Sequence, residues 1–598
     1  MFPRARVIFL FSILVFLAEA DFPVKDWWEK ASFYQIYPRS FKDSDGDGIG
    51  DLNGITSKLS YLKELGIRGF WMSPIYASPM VDMGYDISDY RAIQPEYGTM
   101  TDFENLLVEA RRLGLKVIMD LVPNHSSDKH EWFIKSEAGD PLYKDYYIWE
   151  DGLPNPNGGR NLPPSNWLQS FRGSAWQWSD QRQQYYLHMF AVQQPDLNYR
   201  NPKVIEEIDD IIRFWLDKGV DGFRIDAISN LVEIARSADG SYKDEPPSGL
   251  TDDKDDPAYL DHIYTQNQPE TLEVLYHWRE VVDQYQKEKG GDTRLLMAEA
   301  GGTLDILRTY YLSADGRLGA HMPFNFQMIF EVNKTSTAED YERTIRNWMA
   351  MLPPGHTSNW VIGNHDRPRV GTRFGVNRID VMNMMALCLP GVSVTYQGEE
   401  IGMTDVWISW EDTKDPGACN AGPDRYTEKS RDPCRTPFQW DDSAMAGFTQ
   451  ASQTWLPVGP EYRQVNVKLQ NAERRSHLKT YKALMQLRLS KTFQYGSMQV
   501  NAINSDVLAI TRELEGYNTY IVLMNLGDQT QVVNANNLVS DLPSKMRFEI
   551  LDSSSHHVKG GLVYTDEISL LPHESYVLVA RLAAVEQVHE SMCEIWLE

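Results

Sequence analysis

Apolar residues recur every three or four positions in three segments of the chain, and each segment then passes into a short apolar run. The segments are YLKELGIRGFWMSP, FENLLVEARRLGLKVIMDLVPNH and VIEEIDDIIRFWLDKGVDGFRID, and their periodic parts end at Gly66, Gly114 and Gly219. This periodicity predicts an amphipathic helix that ends at the glycine, and the run after it predicts a strand buried on both faces. Repeated helix–strand units of this kind predict a parallel sheet.

Further apolar runs bring the candidate strands of this sheet to eight. They are FYQIY at 33, LLMAEA at 295, HMPFNF at 321, NWVIGNHD at 359 and VSVTYQGEE at 392. Eight such strands predict an α/β fold, a (β/α)8 TIM barrel formed by residues 21–125 and 195–498. The segment 126–194 is rich in Trp, Pro, Asn and Gly and predicts a subdomain inserted after the third strand. A second insertion is expected at roughly 403–470.

From about residue 500 the pattern changes to short alternating runs separated by turn residues. Examples are DVLAITREL, YNTYIVLMNLGD and ESYVLVARL. The alternation predicts a C-terminal antiparallel β-sandwich domain over residues 499–582, followed by a tail at 583–598. Because TIM barrels carry their catalytic groups at the carboxyl ends of the strands, the candidates for chemistry are the polar residues that follow the eight runs.

Composition and the N-terminus narrow the possible partners. The 598 residues carry a net charge of −26, which disfavours nucleic acid and anionic membrane surfaces. The 17 Trp and 30 Tyr suit stacking on sugar rings, although core packing accounts for most of them. Residues 1–20, MFPRARVIFLFSILVFLAEA, predict a signal peptide cleaved after Ala20 rather than a signal anchor, because the apolar run is too short to span a bilayer. We expect a secreted, extracellular protein without membrane insertion, and the sequence identifies no protein partner.

An oxidising compartment permits disulfides and glycans. Cys419 and Cys434 flank a loop rich in Gly, Pro and Asp and are predicted to form a disulfide. Cys388 lies in an apolar segment and is expected to be a buried free thiol, whereas Cys593 in the tail has no evident partner. Asn333 begins the sequon Asn-Lys-Thr and is predicted to carry a glycan.

Polar side chains appear where the apolar runs stop, at Asp120, Asn124, His125, Arg224, Asp226, Glu299, His365 and Asp366. Arg224 and Asp226 are two apart on a strand and point the same way, so the guanidinium is expected to keep Asp226 ionised. Glu299 has no adjacent cation in the sequence, and neighbouring carboxylates are expected to keep it protonated. One ionised and one protonated carboxyl group suit retaining glycoside hydrolysis. A single strand-end carboxylate is more often a capping or ion-pairing group, so this prediction rests on the combination.

The motifs DLVPNH, GFRIDAI, MAEA and VIGNHD, in this order, resemble the four strand-end motifs of the α-amylase superfamily of glycoside hydrolases. QPDLNY, GYDISDY and RTPFQW resemble those of its α-glucosidase (maltase) and oligo-1,6-glucosidase branch, and with the signal peptide they are similar to secreted insect maltases. The resemblance extends from about residue 26 to 580. The branch often has Met where this chain has Phe438, which exchanges one apolar side chain for another.

This resemblance implies a retaining, exo-acting α-glucosidase that releases one glucose at a time. Asp226 is implied as the nucleophile, Glu299 as the acid and then base, and Asp366 as the transition-state stabiliser. The implied substrate-binding residues are Asp82, Tyr85, His125, Phe190, Arg224, His365 and Arg435. Among these, Asp82 and Tyr85 are expected to close the non-reducing end of the site, and Arg435 to join Asp82 in doing so. In the family a small residue at the position of Ala227 accompanies α-1,4-linked substrates, so we expect maltose, maltooligosaccharides and sucrose rather than isomaltose.

The stretch FKDSDGDGIGDLNGI has the spacing of a calcium-binding loop. Positions 1, 3, 5, 7 and 9 of the loop are Asp43, Asp45, Asp47, Ile49 and Asp51. Position 12 is Gly54, so the loop is not a complete EF-hand, and a solvated acidic turn is the alternative. Four carboxylates this close repel one another unless a divalent cation lies between them, so we predict a structural Ca²⁺ site, with Mg²⁺ as the other candidate ion. No organic cofactor is expected.

Two other functions remain open from the sequence. A transglucosylase or sucrose isomerase of the same family would share every catalytic residue. A binding or receptor protein on the same scaffold is the non-enzymatic alternative. The presence of Asp226, Glu299 and Asp366 together favours catalysis.

Overall fold

The computed structural model describes residues 22–581, so the predicted signal peptide, Cys593 and the tail lie outside the described residues. Eight parallel strands form a barrel, which confirms the predicted fold. The strands are Ser32–Ile36, Gly69–Met72, Lys116–Leu121, Gly222–Ile225, Leu295–Ala298, Met322–Pro323, Asn359–Val361 and Val392–Tyr396. Their order around the sheet is 6-5-4-3-2-1-8-7.

The Asn359 side chain closes the barrel between the sixth and seventh strands. Its amide nitrogen donates to the carbonyl of Pro323 at 2.7 Å, and its amide oxygen accepts from the N–H of Asn325 at 2.7 Å. Apolar side chains from neighbouring strands, Phe33, Trp71 and Met297 among them, fill the interior. The barrel is therefore a packed core, and the site lies above its strand ends.

Helices cover the barrel and end as the sequence predicts. The longer ones are Leu52–Leu65, Met100–Leu113, Pro202–Lys218, Pro269–Lys289, Leu304–Tyr311, Ala338–Met351, Ile379–Cys388 and His477–Leu487. Gly66, Gly114 and Gly219 end the first three in the left-handed conformation, at φ values of 88°, 71° and 106°. Glycine adopts this conformation without the steric penalty of a Cβ atom, which explains why each helix stops there and the next strand begins.

The segment 126–194 follows the third strand and carries its own small sheet. This sheet pairs Gln184–Leu187 with Trp149–Glu150 on one side and with Trp176–Ser179 on the other, both antiparallel. A short helix, Glu131–Glu137, precedes it. Aromatic side chains form its core, with Trp167 and Trp176 stacked at 5.8 Å between ring centres.

The C-terminal part is an antiparallel β-sandwich. Its larger sheet contains Ser497–Ala502, Val507–Glu513, Thr519–Asn525, Ser575–Ala580, Lys545–Leu551 and Leu562–Tyr564, and its smaller one pairs Gln531–Val533 with Ile568–Leu570. Asp380 of a barrel helix joins the two domains, because its carboxylate accepts from the N–H of Ser553 at 2.8 Å, while Nδ1 of His477, in the barrel domain, lies 2.8 Å from its other oxygen. Within residues 22–581, none of the helices is long and apolar enough to cross a membrane.

Candidate active site

Arg224 lies at the centre of the strand ends and contacts three carboxylates. Its Nη1 is 2.9 Å from both oxygens of Asp120 and 2.5 Å from Oδ1 of Asp226, and its Nη2 is 2.6 Å from Oε2 of Glu299. The register of the parallel strands explains this arrangement, because Arg224 pairs with Asp120 on one side and with Met297 on the other. The prediction that Glu299 has no adjacent cation is therefore wrong. The cation comes from the neighbouring strand rather than from the sequence around Glu299.

Arg224 favours the ionised form of Asp226, as predicted, but it is shared among three carboxylates and does not outweigh the effect of burial. Burial raises the pKa of Asp226, Arg224 opposes this rise, and the nearby Glu299 and Asp120 carboxylates add to it. Burial likewise raises the pKa of Asp120 to about 7 against the effect of Arg224. The shifts of Asp226 and Asp120 both favour the uptake of a proton by the buried cluster.

Asp366 differs from this cluster because its single carboxylate is in contact with two guanidiniums, those of Arg431 and Arg435. Its Oδ1 is 2.8 Å from Nη2 of Arg435 and 3.2 Å from Nη1 of Arg431, and its Oδ2 is 3.4 Å from Nε2 of His365. Burial opposes ionisation, but the guanidiniums of Arg431 and Arg435 outweigh it and hold the pKa of Asp366 below its usual range. Asp366 is therefore a fixed negative charge, which suits the stabilisation of a positively charged transition state.

His365 and Tyr85 form the floor beside Asp366. Their rings stack at 5.6 Å with an interplanar angle of 5°, and the Tyr85 hydroxyl is 2.8 Å from Nε2 of His365. On its other side, His365 Nδ1 is 2.7 Å from the amide nitrogen of Gln35. Burial holds the pKa of His365 well below its usual value, so the ring is a neutral hydrogen-bonding group at neutral pH.

Arg431, and not the predicted Arg435, contacts Asp82 at the closed end of the site. The predicted partner of Asp82 is therefore wrong. Arg431 Nη2 is 2.8 Å from Oδ1 of buried Asp82 and 2.7 Å from Oδ1 of Asp415. Arg435 instead donates to the carbonyl of His365 at 2.8 Å and contacts Asp366. Both arginines belong to the stretch RDPCRTPFQW, and only the packing of that loop decides which one reaches Asp82.

His125 and Phe190 complete the closed end. His125 Nε2 is 3.0 Å from the amide nitrogen of Gln194, and burial lowers the pKa of His125 to about 3, so it is neutral. The Phe190 ring packs on His125 at 5.0 Å between ring centres and on Phe171 at 6.0 Å. The structure thus brings together every residue predicted for catalysis and substrate binding.

All of these residues except Arg224 and Arg435 line a cavity of about 730 Å³. Lining residues that the sequence did not indicate are Phe171, Arg172, Gln266, Phe330, Arg367 and the loop 427–431. Phe326 also lines the cavity. It follows the sixth strand, so the rule that site residues lie at the carboxyl ends of barrel strands could have indicated it. The cavity falls within the roughly 300–1,000 Å³ of small-ligand sites. One end is closed by charged side chains and the other is open, so the shape accepts the end of a chain.

The acidic loop lies away from this cavity and offers a group of oxygens suited to a cation. One carboxylate oxygen each from Asp43, Asp45 and Asp51 lie within 4.8 Å of one another. Hydrogen bonds hold them in place, because Asp43 Oδ1 accepts from the N–H of Gly46 at 2.7 Å and Asp51 Oδ1 accepts from the N–H of Gly54 at 2.7 Å. Asp47 lies outside this group, and the predicted ligand Ile49 donates its N–H to Asp47 Oδ1 at 2.7 Å.

The predicted disulfide is wrong, because Cys419 and Cys434 are both free thiols in the structure. Cys419 is exposed, whereas Cys434 is buried with its Sγ 3.1 Å from the carbonyl of Arg431. Polar contacts close the loop instead. The N–H of Arg431 donates to Asp415 Oδ2 at 2.6 Å, and Asp432 accepts from the N–H of Lys414 at 2.7 Å. Cys388 is a buried free thiol, as predicted.

Comparison with known proteins agrees with this geometry. The family model of the α-amylase catalytic domain matches residues 35–496. Maltase A1 of Drosophila melanogaster is 49% identical over 583 residues, covering 97% of this chain and 100% of that protein. The salivary alpha-glucosidase of Anopheles gambiae is 52% identical over 505 residues, 84% of each chain. The structure of the alpha-glucosyl transfer enzyme XgtA matches at a TM-score of 0.80 with 35% identity, over 93% of this chain and 100% of that one.

Proposed function

This chain belongs to the α-amylase family, and from that premise we propose that it is a retaining, exo-acting α-glucosidase. Its substrates are terminal α-1,4-linked glucose units of maltose, maltooligosaccharides and sucrose. The observation that carries the proposal is a cavity closed by Asp82 and Arg431, with Asp226, Glu299 and Asp366 on its wall. The maltase and the α-glucosidase that are 49% and 52% identical to this chain support the same activity.

The reaction follows from the positions of the carboxyl groups. Asp226 attacks the anomeric carbon of the terminal glucose while Glu299 donates its proton to the glycosidic oxygen, so the C–O bond breaks and the shortened sugar leaves. Water then attacks the glucosyl–Asp226 ester, and Glu299 takes the proton of the water. Two displacements restore the α configuration, and Asp366 stabilises the positive charge that develops on the ring in each.

Glucose release from maltose, followed by NMR of the first-formed anomer, tests this function. The parent protein is expected to release α-glucose, and Asp226→Asn is expected to release none because an amide is a poor nucleophile. Asp566→Asn, an exposed carboxylate of the sandwich, is the matched control and should behave like the parent. A folded parent that turns over neither maltose nor sucrose would move the assignment to a binding protein.

Transglucosylation is the second candidate because the matched structure of XgtA is named as a glucosyl transfer enzyme. The same NMR experiment distinguishes it. A hydrolase releases glucose from both halves of maltose, whereas a transferase converts maltose into trisaccharides with little loss of total glycosidic bonds.

We propose that the acidic loop binds a structural calcium ion through Asp43, Asp45, Asp47, Asp51 and the carbonyl of Ile49. Calcium accepts six to eight oxygen ligands in flexible geometry, and the oxygens of Asp43, Asp45 and Asp51 are already gathered. A ligand present at 100 times its dissociation constant stabilises the folded state by about 2.7 kcal/mol. A chelator should therefore lower the Tm, and Ca²⁺ should restore it better than Mg²⁺. Asp45→Asn should lose this response while Asp566→Asn keeps it; a Tm that ignores the chelator in the parent would exclude the site.

Secretion with cleavage after Ala20 is part of the same proposal, and the relatives named as salivary α-glucosidases support export. Asn333 is exposed in a turn where its side-chain oxygen accepts from the N–H of Thr335 at 2.9 Å, so the sequon is accessible to glycosylation. Mass spectrometry of the protein secreted from insect cells should find Asp21 as the first residue and a glycan at Asn333. An N-terminus at Met1 would contradict cleavage.

A further inference from the structure

Three loops from distant parts of the chain meet at the opening of the cavity. The first is 170–174 of the inserted subdomain, the second is 251–261 after the strand that carries Asp226, and the third is 425–431 of the second insertion. The first and third contribute Arg172 and Lys429 to the cavity lining. A backbone hydrogen bond joins the first two, because the N–H of Gly173 donates to the carbonyl of Asp255 at 2.9 Å.

Ion pairs hold these three loops together. Asp253 Oδ2 accepts from Nη2 of Arg172 at 2.8 Å and from Nη1 of Arg425 at 2.8 Å. Asp256 Oδ2 lies 2.6 Å from Nζ of Lys429 and 3.7 Å from Nη1 of Arg172. Two carboxylates of the middle loop thus bind three cations from the outer loops. We call the five residues Arg172, Asp253, Asp256, Arg425 and Lys429 the clasp.

The clasp fixes the outer part of the third loop, whereas the inner part has its own attachments. Arg431, two residues beyond Lys429, is held by Asp82 and Asp415 at the closed end. Loosening the clasp therefore widens the opening near Lys429 without releasing the group that binds the terminal glucose.

We propose that the clasp sets the width of the cavity opening and thereby restricts the chain length of the substrate. This inference rests on the proposed α-glucosidase function and assigns positioning residues to its acceptor side. A maltooligosaccharide of four units must extend from the closed end past residues 427–430. A single glucose with a small leaving group ends inside the cavity.

Salt offers an independent way to weaken the clasp. Arg425 and Lys429 are partly exposed, at 42% and 32%, so counter-ions reach their ion pairs, whereas Arg172 and Asp256 are more buried, at 11% and 9%. The Debye length falls from about 8 Å at physiological ionic strength to about 3 Å at 1 M. Maltose and its oligomers are uncharged, so an effect of salt on their discrimination must arise in the protein.

The test compares kcat/KM for maltotetraose with that for maltose in the full-length protein. In Asp253→Asn/Asp256→Asn the ratio is expected to rise roughly two- to fivefold, the range that the loss of partly exposed ion pairs permits. The rise should appear mainly as a lower KM for maltotetraose. In the parent, 1 M NaCl should raise the same ratio, and in the variant salt should have little further effect. Glu273→Gln, which removes an exposed ion pair with Arg317 on the barrel surface, is the matched control.

Hydrolysis of 4-nitrophenyl α-glucoside separates the possible failures. A parent that does not hydrolyse it lacks the proposed function, and the inference falls with that function. An active parent whose maltotetraose-to-maltose ratio is unchanged by salt and by the double variant overturns the inference alone. Loss of aryl glucoside activity in a folded double variant would also overturn it, because the clasp would then act on the glucose site. If the double variant does not fold, the salt dependence of the parent decides.

Discussion

The pairing of Asp82 with Arg431 can be measured by a double-mutant cycle, with Arg435 as the internal comparison. Asp82→Asn and Arg431→Gln each remove one charge of a buried pair whose N–O distance is 2.8 Å. Asp82→Asn combined with Arg435→Gln removes charges that do not touch, because Arg435 donates to Asp366 and to the carbonyl of His365. The two cycles therefore distinguish the arginine that closes the site from the one beside it.

The expected coupling follows from the contact. A hydrogen bond to a charged group contributes about 1.5–3 kcal/mol. The loss of kcat/KM for maltose in the double variant should therefore be roughly 10- to 100-fold smaller than the product of the two single losses. Burial raises the pKa of Asp82 and Arg431 opposes it, so the loss in Arg431→Gln should become smaller as the pH falls and Asp82 takes up a proton. The coupling of Asp82 with Arg435 should stay below about 1 kcal/mol, since these two interact only at a distance.

Steady-state kinetics of the four proteins in each cycle, between pH 5 and 7.5, provide the assay. Circular dichroism confirms that each variant is folded before its activity is compared. A coupling of Asp82 with Arg435 as large as that with Arg431 would refute the reasoning, because the contact would then not determine the energy.

Three further predictions test the fold and the specificity. Ala227 has a positive φ of 46°, so Ala227→Val should cost about 1–2 kcal/mol in backbone strain, lower kcat/KM for maltose and raise the isomaltose-to-maltose ratio; an unchanged ratio contradicts its role in linkage choice. Cys419→Ser should change the free energy of urea unfolding by less than about 0.5 kcal/mol. If the variant instead lost about 3 kcal/mol in the absence of reductant, the parent would contain a disulfide between Cys419 and Cys434. Burial lowers the pKa of His477 but Asp380 raises it further, so this pair stabilises the domain junction at low pH and weakens as pH rises through the raised pKa. His477→Gln should therefore destabilise the protein more at pH 6 than at pH 9, and an equal loss at both would exclude the linkage.

The sequence by itself determined the barrel and the position of the candidate catalytic groups at its strand ends. Helix and strand periodicity follow from which face of each element is buried, and glycine ends a helix because of its own backbone freedom. Polar residues directly after buried strands must gather at one end of a parallel barrel, so Asp226, Glu299 and Asp366 could be placed together before any coordinates. These are properties of single elements and of their parallel arrangement.

Only the tertiary structure decided the partners of those groups. Arg224 reaches Glu299 because two strands share a register, and Arg431 rather than Arg435 reaches Asp82 because a long loop packs in one particular way. The free thiols of Cys419 and Cys434 depend on the same loop. Side-chain contacts between segments hundreds of residues apart depend on packing and on chain direction in irregular loops. Neither leaves a periodic pattern in the sequence, so they appear only when the chain is folded.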